Sequence, residues 1–110
     1  MIEANVVLDE SGVLRSCRVL GHAGAGLHGS DIVCAAVSVL TRTIIRVLAE
    51  RKDIKIRGNA PSRGEFNLEV EYEVEAGEYL RAAGTFLIEG LKSVSEEYPD
   101  NCTVNIERRK

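Results

Sequence analysis

The sequence predicts an α+β fold, a two-layer α/β sandwich of order ββαββαβ with two helices on one face of a mostly antiparallel sheet. Three observations lead there. Five short segments alternate apolar and polar residues with period two, two longer ones carry apolar stripes at helical spacing, and turn residues separate them. At 110 residues, 45% of them hydrophobic and 28% charged, the chain reads as one domain, 1–110, around a single core.

Residues 2–8 set Ile2, Ala4, Val6 and Leu8 against Glu3 and Asn5, the mark of a half-buried strand. Asp9-Glu10-Ser11-Gly12 supplies a turn and 13–20 a second strand, so the chain opens as a hairpin. Four glycines between positions 21 and 29 interrupt regular structure and predict a mobile loop. Ser30 or Asp31 then caps a helix reaching about Arg51, with Val33, Ala36, Val37, Leu40, Ile44, Val47 and Leu48 as its apolar stripe. Residues 54–58 form a short strand, and Asn59, Pro61 and Gly64 mark a turn.

Next, Phe66, Leu68, Val70, Tyr72 and Val74 alternate with Asn67, Glu69, Glu71 and Glu73, a strand with one core face and one wet face that ends at Ala76-Gly77. A second helix spans 78–98, with Leu80, Ala83, Leu87, Leu91, Val94 and Tyr98 on one face and Pro99 as its stop. Cys102, Val104 and Ile106 make the last strand.

Composition narrows the function. The net charge is -3 and no basic patch interleaves with aromatics, which argues against nucleic-acid binding. No apolar run approaches the ~20 residues of a membrane helix. The opening MIEANVVLDE has neither the basic n-region nor the apolar h-region of a signal peptide, so a cytoplasmic protein with reduced cysteines is expected. Cys17, Cys34 and Cys102 form neither an even disulfide set nor a CxxC pair. Cys17 and Cys102 sit in period-two patterns and read as small core hydrophobes. Glu65, Glu69, Glu71, Glu73 and Glu75 read as a solvated sheet face, the alternative being a lure for a basic partner. Arg108-Arg109-Lys110 reads as a solvated end.

Cys34 is different. It falls at the start of a helix, where free N–H groups and the positive end of the dipole favour thiolate over thiol. His22 falls at the end of the second strand, and an imidazole can take a thiol proton and return it to a leaving group. If the helix folds back over the sheet, both residues meet at one mouth as nucleophile and base. Ser38 shares the face of Cys34 one turn on, and bonds either near the thiol or to the carbonyl four residues back. Asp31 reads as a first-turn acid on the dipole, with orientation of His22 as the alternative.

Other readings stay open at this level. One is a buried structural thiol beside an ordinary loop histidine. Another is a metal set of His22, His28, Asp31 and Cys34, whose spacing fits no familiar zinc pattern. The stretch GAGLHG also matches GxGxxG between a strand and a helix. Against that match, Asp31 puts negative charge where pyrophosphate would sit, and the strand over 54–58 offers no acid for a ribose. No cofactor is expected.

The stretch GHAGAGLHGSDIVCAAVS, with eleven residues between His22 and Cys34, closely resembles the ribosomal-processing cysteine protease family Prp. Length, element order and acidic composition extend the likeness along the whole chain. The resemblance implies a cysteine endopeptidase with His22 and Cys34 as its catalytic dyad and Gly21, Asp31 and Ser38 on further motif positions. It implies a homodimer that removes the N-terminal extension of a bacterial large-subunit ribosomal protein, cutting next to aromatic residues, so that the partner is the precursor's extension peptide. The implied chemistry is acyl transfer, with the helix N-terminus, including the Cys34 N–H, as oxyanion donor. The rivals are a non-catalytic module docking ribosomal protein precursors and an anion- or nucleotide-binding domain built on GAGLHG.

Overall fold

Five strands and two long helices follow one another as β1 (Ile2–Leu8), β2 (Leu14–Leu20), α1 (Ser30–Ala49), β3 (Ile54–Asn59), β4 (Glu65–Tyr72), α2 (Gly77–Glu97) and β5 (Cys102–Arg108), with a 3-10 turn at Val74–Ala76 before α2. The structure is a computed structural model that describes residues 1–21, 30–60 and 65–109; within α1 the side chains of Ser30 and Asp31 also lie outside the description. The expected order holds, with the 3-10 turn as an addition. The strands form one sheet of order β3-β4-β2-β1-β5. The β1–β2, β2–β4 and β3–β4 pairs are antiparallel, and β1–β5 is parallel. A parallel neighbour needs a crossover, and α2 provides it between β4 and β5.

The hairpin between β1 and β2 is held by Asp9. Its Oδ1 accepts the N–H groups of Ser11 at 2.9 Å and Val13 at 3.0 Å. Gly12 closes the turn at φ 81°, a conformation that suits glycine. The sheet's inner face carries Ala4, Val6, Val19, Cys17, Leu68 and Val70, all buried. Across the strands Cys17 stands opposite Val6 and Leu68. The helices bury Val33, Val37, Ile44 and Leu48 from α1 and Leu80, Leu87, Ile88 and Leu91 from α2 against this face. Where α2 crosses β2, a Cβ on Gly84 would stand 3.0 Å from the Leu14 Cβ, so a glycine there permits the close approach.

Three expectations need correction. The fourth strand ends at Tyr72 instead of running through Val74. Glu73 donates its N–H to the Asp53 carbonyl at 2.9 Å and the chain turns, leaving Val74 84% exposed while Ala76 enters the core. Gly77 opens α2 instead of closing the strand. Ile106 keeps the strand position expected of it but is 42% exposed, because β5 is an edge strand. Finally, α1 over Ile32–Ala49 is long and apolar enough, by length and composition, to cross a membrane. Its apolar content has another physical reason in this fold, since one stripe of it forms the core and Arg42 and Arg46 interrupt the exposed side.

The acidic stripe also finds its partners within the sheet. Glu69 pairs with Arg57 at 3.3 Å, and Glu71 stands opposite Lys55 in register. Both pairs lie on the solvated face, as the period-two pattern requires. Glu73 and Glu75 leave the stripe because the strand has already ended.

Candidate active site

The strand register puts several chain ends together. Leu20 at the end of β2 pairs with Glu3 at the start of β1 and Glu65 at the start of β4, and Ile2 pairs with Cys102 at the start of β5. At the opposite end of the sheet, Ile54 at the start of β3 pairs with Tyr72 at the end of β4. Since α1 runs from the residues after Gly21 to the start of β3, its N-terminus lies at the Leu20 end and its C-terminus at the Ile54 end. The opening turns of α1 therefore share one end of the molecule with the point where β2 stops.

Cys34 stands there. It is half-buried and packs against the edge of the core cluster. The other two thiols are fully buried. Burial pushes Cys17 up to about 12 and raises Cys102 as well, so both are held as neutral thiols at neutral pH. The three cysteines thus divide as expected, two as core hydrophobes and one half-buried in the opening turns of a helix.

One detail of the implied chemistry changes. With α1 beginning at Ser30, Cys34 is beyond the first four helical residues, and the i to i−4 pattern gives its N–H to the Ser30 carbonyl. The uncommitted amide donors of the helix start belong to residues ahead of Cys34.

Ser38 is exposed, one turn along α1 from Cys34 on the same face. Its carbonyl accepts hydrogen bonds from Thr41 Oγ1 at 3.2 Å and Arg42 Nε at 3.3 Å. Thr41 is a residue that the apolar pattern misses: it is 4% exposed in the helix's buried stripe, with its hydroxyl donating to the Val37 carbonyl at 3.0 Å. A hydroxyl satisfied by its own helix can sit in a core at little cost.

Gly21 follows β2 with φ 100°, and a Cβ there would collide with the Met1 carbonyl oxygen. His22, His28 and the glycine-rich stretch through Gly29 lie outside the described residues, as does the Asp31 side chain. Of the metal set weighed above, only Cys34 falls among the described side chains. Two grooves of about 730 and 800 Å³ lie on the solvated face of the sheet, the first beside Arg15, Lys55 and Glu71 and the second beside Arg18, Asn59 and Asn67. Cys34 lines neither.

A half-buried thiol in the opening turns of a helix, at the sheet end where β2 stops, in a small α+β fold is a place from which a cysteine nucleophile can act. A family model for the cysteine protease Prp matches residues 1–103. The chain belongs to the cysteine protease Prp family. It is 29% identical over 109 residues to the ribosomal processing cysteine protease Prp of Staphylococcus aureus, covering 96% of this chain and 98% of that one. Among solved structures, a Streptococcus mutans protein superposes with a TM-score of 0.83 at 28% identity, over 99% of this chain and 96% of its own. The essential ribosomal processing protease Prp of S. aureus, solved with a substrate peptide, gives a TM-score of 0.82 at 20% identity, over 97% of this chain and all of that one, a likeness of fold.

Proposed function

We propose that this chain is a cytoplasmic endopeptidase that removes the N-terminal extension of a bacterial large-subunit ribosomal protein, with Cys34 as nucleophile and His22 as its acid–base partner. The observation that carries the reading is the placement of Cys34. It is the one cysteine outside the fully buried set, it lies in the opening turns of α1 at the Leu20 end of the sheet, and it does so in a chain matched to the family over residues 1–103. The name of the S. aureus relative supplies the ribosomal precursor as the substrate class.

In this reading His22 accepts the Cys34 proton, and the sulfur attacks the scissile carbonyl carbon. The new S–C bond forms a tetrahedral oxyanion, which the free amides at the start of α1 stabilise. The intermediate collapses by breaking the C–N bond while His22 gives its proton to the leaving amine. Water then attacks the thioester, His22 takes its proton, the C–S bond breaks and the thiol is regenerated. Gly21, Asp31 and Ser38 support this dyad, and no cofactor enters any step.

The enzyme works as a homodimer in this proposal. Ile32 is 57%, Val39 54% and Phe86 72% exposed on the helical layer, apolar side chains that a second copy of the chain would cover in this reading. Free cysteines, two of them in the core, suit a reducing compartment. The solvated face of the sheet mixes Glu69 and Glu71 with Lys55 and Arg57, a pattern with no basic field for nucleic acid. The decisive experiment is cleavage of a peptide copying the precursor's extension, compared between wild type and Cys34→Ala.

A further inference from the structure

Two glycines show which way each flank of α1 faces. A Cβ on Gly58 of β3 would stand 3.0 Å from Ile45 Cδ1, and one on Gly90 of α2 would stand 2.6 Å from Leu40 Cδ2. Ile45 lies three helical turns beyond Cys34 on the same flank, with Ser38 and Thr41 between them, whereas Leu40 is rotated about 140° from Ile45 around the helix. The Cys34 flank of α1 therefore looks toward β3, and the opposite flank packs on α2.

β3 is an edge of the sheet, with no strand beyond it among the described residues. The register tells which of its backbone groups are free. Glu73 donates its N–H to the Asp53 carbonyl, and Lys55, Arg57 and Asn59 continue that phase opposite Glu71, Glu69 and Asn67. Alternate residues of an antiparallel ladder exchange both bonds with their partner, so these three turn their N–H and C=O to β4. Ile54, Ile56 and Gly58 turn theirs outward. Val70 agrees with this phase, because its carbonyl accepts from Arg15 of β2 and so points away from its β3 partner Ile56. β3 has neither a proline nor a register shift to blunt the edge. On its core side, Ile56 and Ile45 are half-buried apolar side chains. The other edge strand, β5, follows directly from α2, the helix on the flank away from Cys34.

Resting on the protease reading above, we propose that the free edge of β3 is a docking site for the extended chain of the substrate. The peptide adds as a further strand through the backbone groups of Ile54, Ile56 and Gly58 and lays alternate apolar side chains toward Ile56 and Ile45. The occupant is a polypeptide because the site offers backbone donors and acceptors at strand spacing. It is the substrate because the edge lies on the flank that carries Cys34. Gly58 is level with Ile45, about 16 Å along the helix from Cys34, a distance that an extended chain covers in about five residues. The paired segment thus starts about five residues from the scissile bond and sets affinity, while the chemistry stays at Cys34.

The test uses peptides copying the precursor for about ten residues on each side of the cut, N-methylated at one backbone nitrogen at a time. KM should rise at least about tenfold, with kcat within about threefold, at every second position of a stretch beginning about five residues from the cut, and by less than about twofold at the positions between. On the protein side, Ile56→Pro removes an outward N–H that the β3–β4 ladder does not use, and Ile56→Ala keeps that N–H while trimming the side chain. Ile56→Pro should raise KM for the long peptide at least about tenfold, and Ile56→Ala about threefold, whereas both should cut a peptide of about four residues on each side as wild type does. If Ile56→Pro loses its cooperative melt, the N-methyl series on wild type decides alone. N-methyl effects without the two-residue period, or a long peptide with the same KM as the short one, would overturn the docking and leave the protease reading intact. A wild type that cuts neither peptide sinks the proposed substrate instead. Calorimetry of the same N-methyl series on Cys34→Ala then judges the edge, a period-two loss of affinity upholding it and any other pattern overturning it.

Discussion

Tyr72 Oη donates a 2.5 Å hydrogen bond to Asp9 Oδ2, joining the last residue of β4 to the turn between β1 and β2. Arg15 lies over the Tyr72 ring, with its guanidinium carbon 5.8 Å from the centroid, and its Nε donates to the Val70 carbonyl at 3.1 Å. The far end of the sheet, opposite Cys34, thus carries a polar cluster beside its buried Leu8, Leu14 and Ile54. Burial would raise the Asp9 carboxyl, but the Tyr72 hydroxyl, the N–H groups of Val13 and Ser11 and the charge of Arg15 outweigh it and hold the group below 3.8. The same bond to Asp9, together with burial, raises Tyr72 above 10.0.

The sign of the pH dependence follows. A depressed carboxyl stabilises the fold above its unfolded value and loses that contribution as pH falls through its folded one. A raised phenol contributes below its unfolded value and loses the contribution as pH rises. Tyr72→Phe should cost about 1 kcal/mol at pH 7, or roughly 4 °C in Tm, and less at pH 2. Thermal melts at the two pH values check it; an equal loss at both would detach the effect from the Asp9 charge.

Most of this fold is legible in the sequence because its signals are local. The alternation Ile2, Ala4, Val6, Leu8 and the stripe Val33, Val37, Ile44, Leu48 each report a face directly, and both faces are buried as read. The misses share another cause. Val74 continues the alternation perfectly, yet the strand stops because Glu73 bonds to Asp53, a residue twenty positions away that no local pattern reveals. Thr41 reads as polar until its hydroxyl is seen on the Val37 carbonyl. For the site, a cysteine at a helix start was visible in the sequence, whereas the demand that Met1 places on Gly21 arises only when β1 and β2 pair.

The three thiols should react at widely separated rates. A brief iodoacetamide pulse at pH 7.5, read by mass spectrometry, is expected to label Cys34 and leave Cys17 and Cys102 untouched, because both are 0% exposed and held as neutral thiols. Labelling of Cys17 in parallel with Cys34 would remove the basis for singling out Cys34.

Cys17 offers a control on the core. It makes contact with apolar neighbours on the inner face, so Cys17→Ser buries a hydroxyl among Val6 and Leu68, whereas Cys17→Ala only removes the sulfur. The serine variant should lose about 2 kcal/mol and the alanine variant about 1 kcal/mol in urea unfolding. The opposite order would mean that a polar partner for the hydroxyl exists at that position.

The exposed apolar side chains of the helical layer make the proposed homodimer testable. Phe86→Asp together with Val39→Asp should weaken self-association by roughly 100-fold, about 3 kcal/mol, and shift the mass seen by light scattering from two chains to one at low micromolar concentration. Both residues are already in water, so the monomer's melting should change little. A double variant that stays dimeric would move the interface elsewhere on the molecule.

The chemistry itself rests on two substitutions read together. Cys34→Ala removes the nucleophile at a half-buried position on the edge of the core, so fold and peptide affinity should survive while cleavage falls to background. His22→Ala should lower kcat by at least about 1000-fold, within the range expected when a general acid–base group is lost. It should also leave Cys34 open to slow alkylation. The assay uses a peptide copying the precursor's extension, with binding to the Cys34→Ala protein measured by calorimetry and products of the wild type identified by mass. A trapped thioester between the peptide's acyl part and Cys34 on rapid acid quench would establish the covalent route. Cleavage that persists in Cys34→Ala would exclude it, and tight binding without any cleavage by wild type would make the chain a docking module for the precursor.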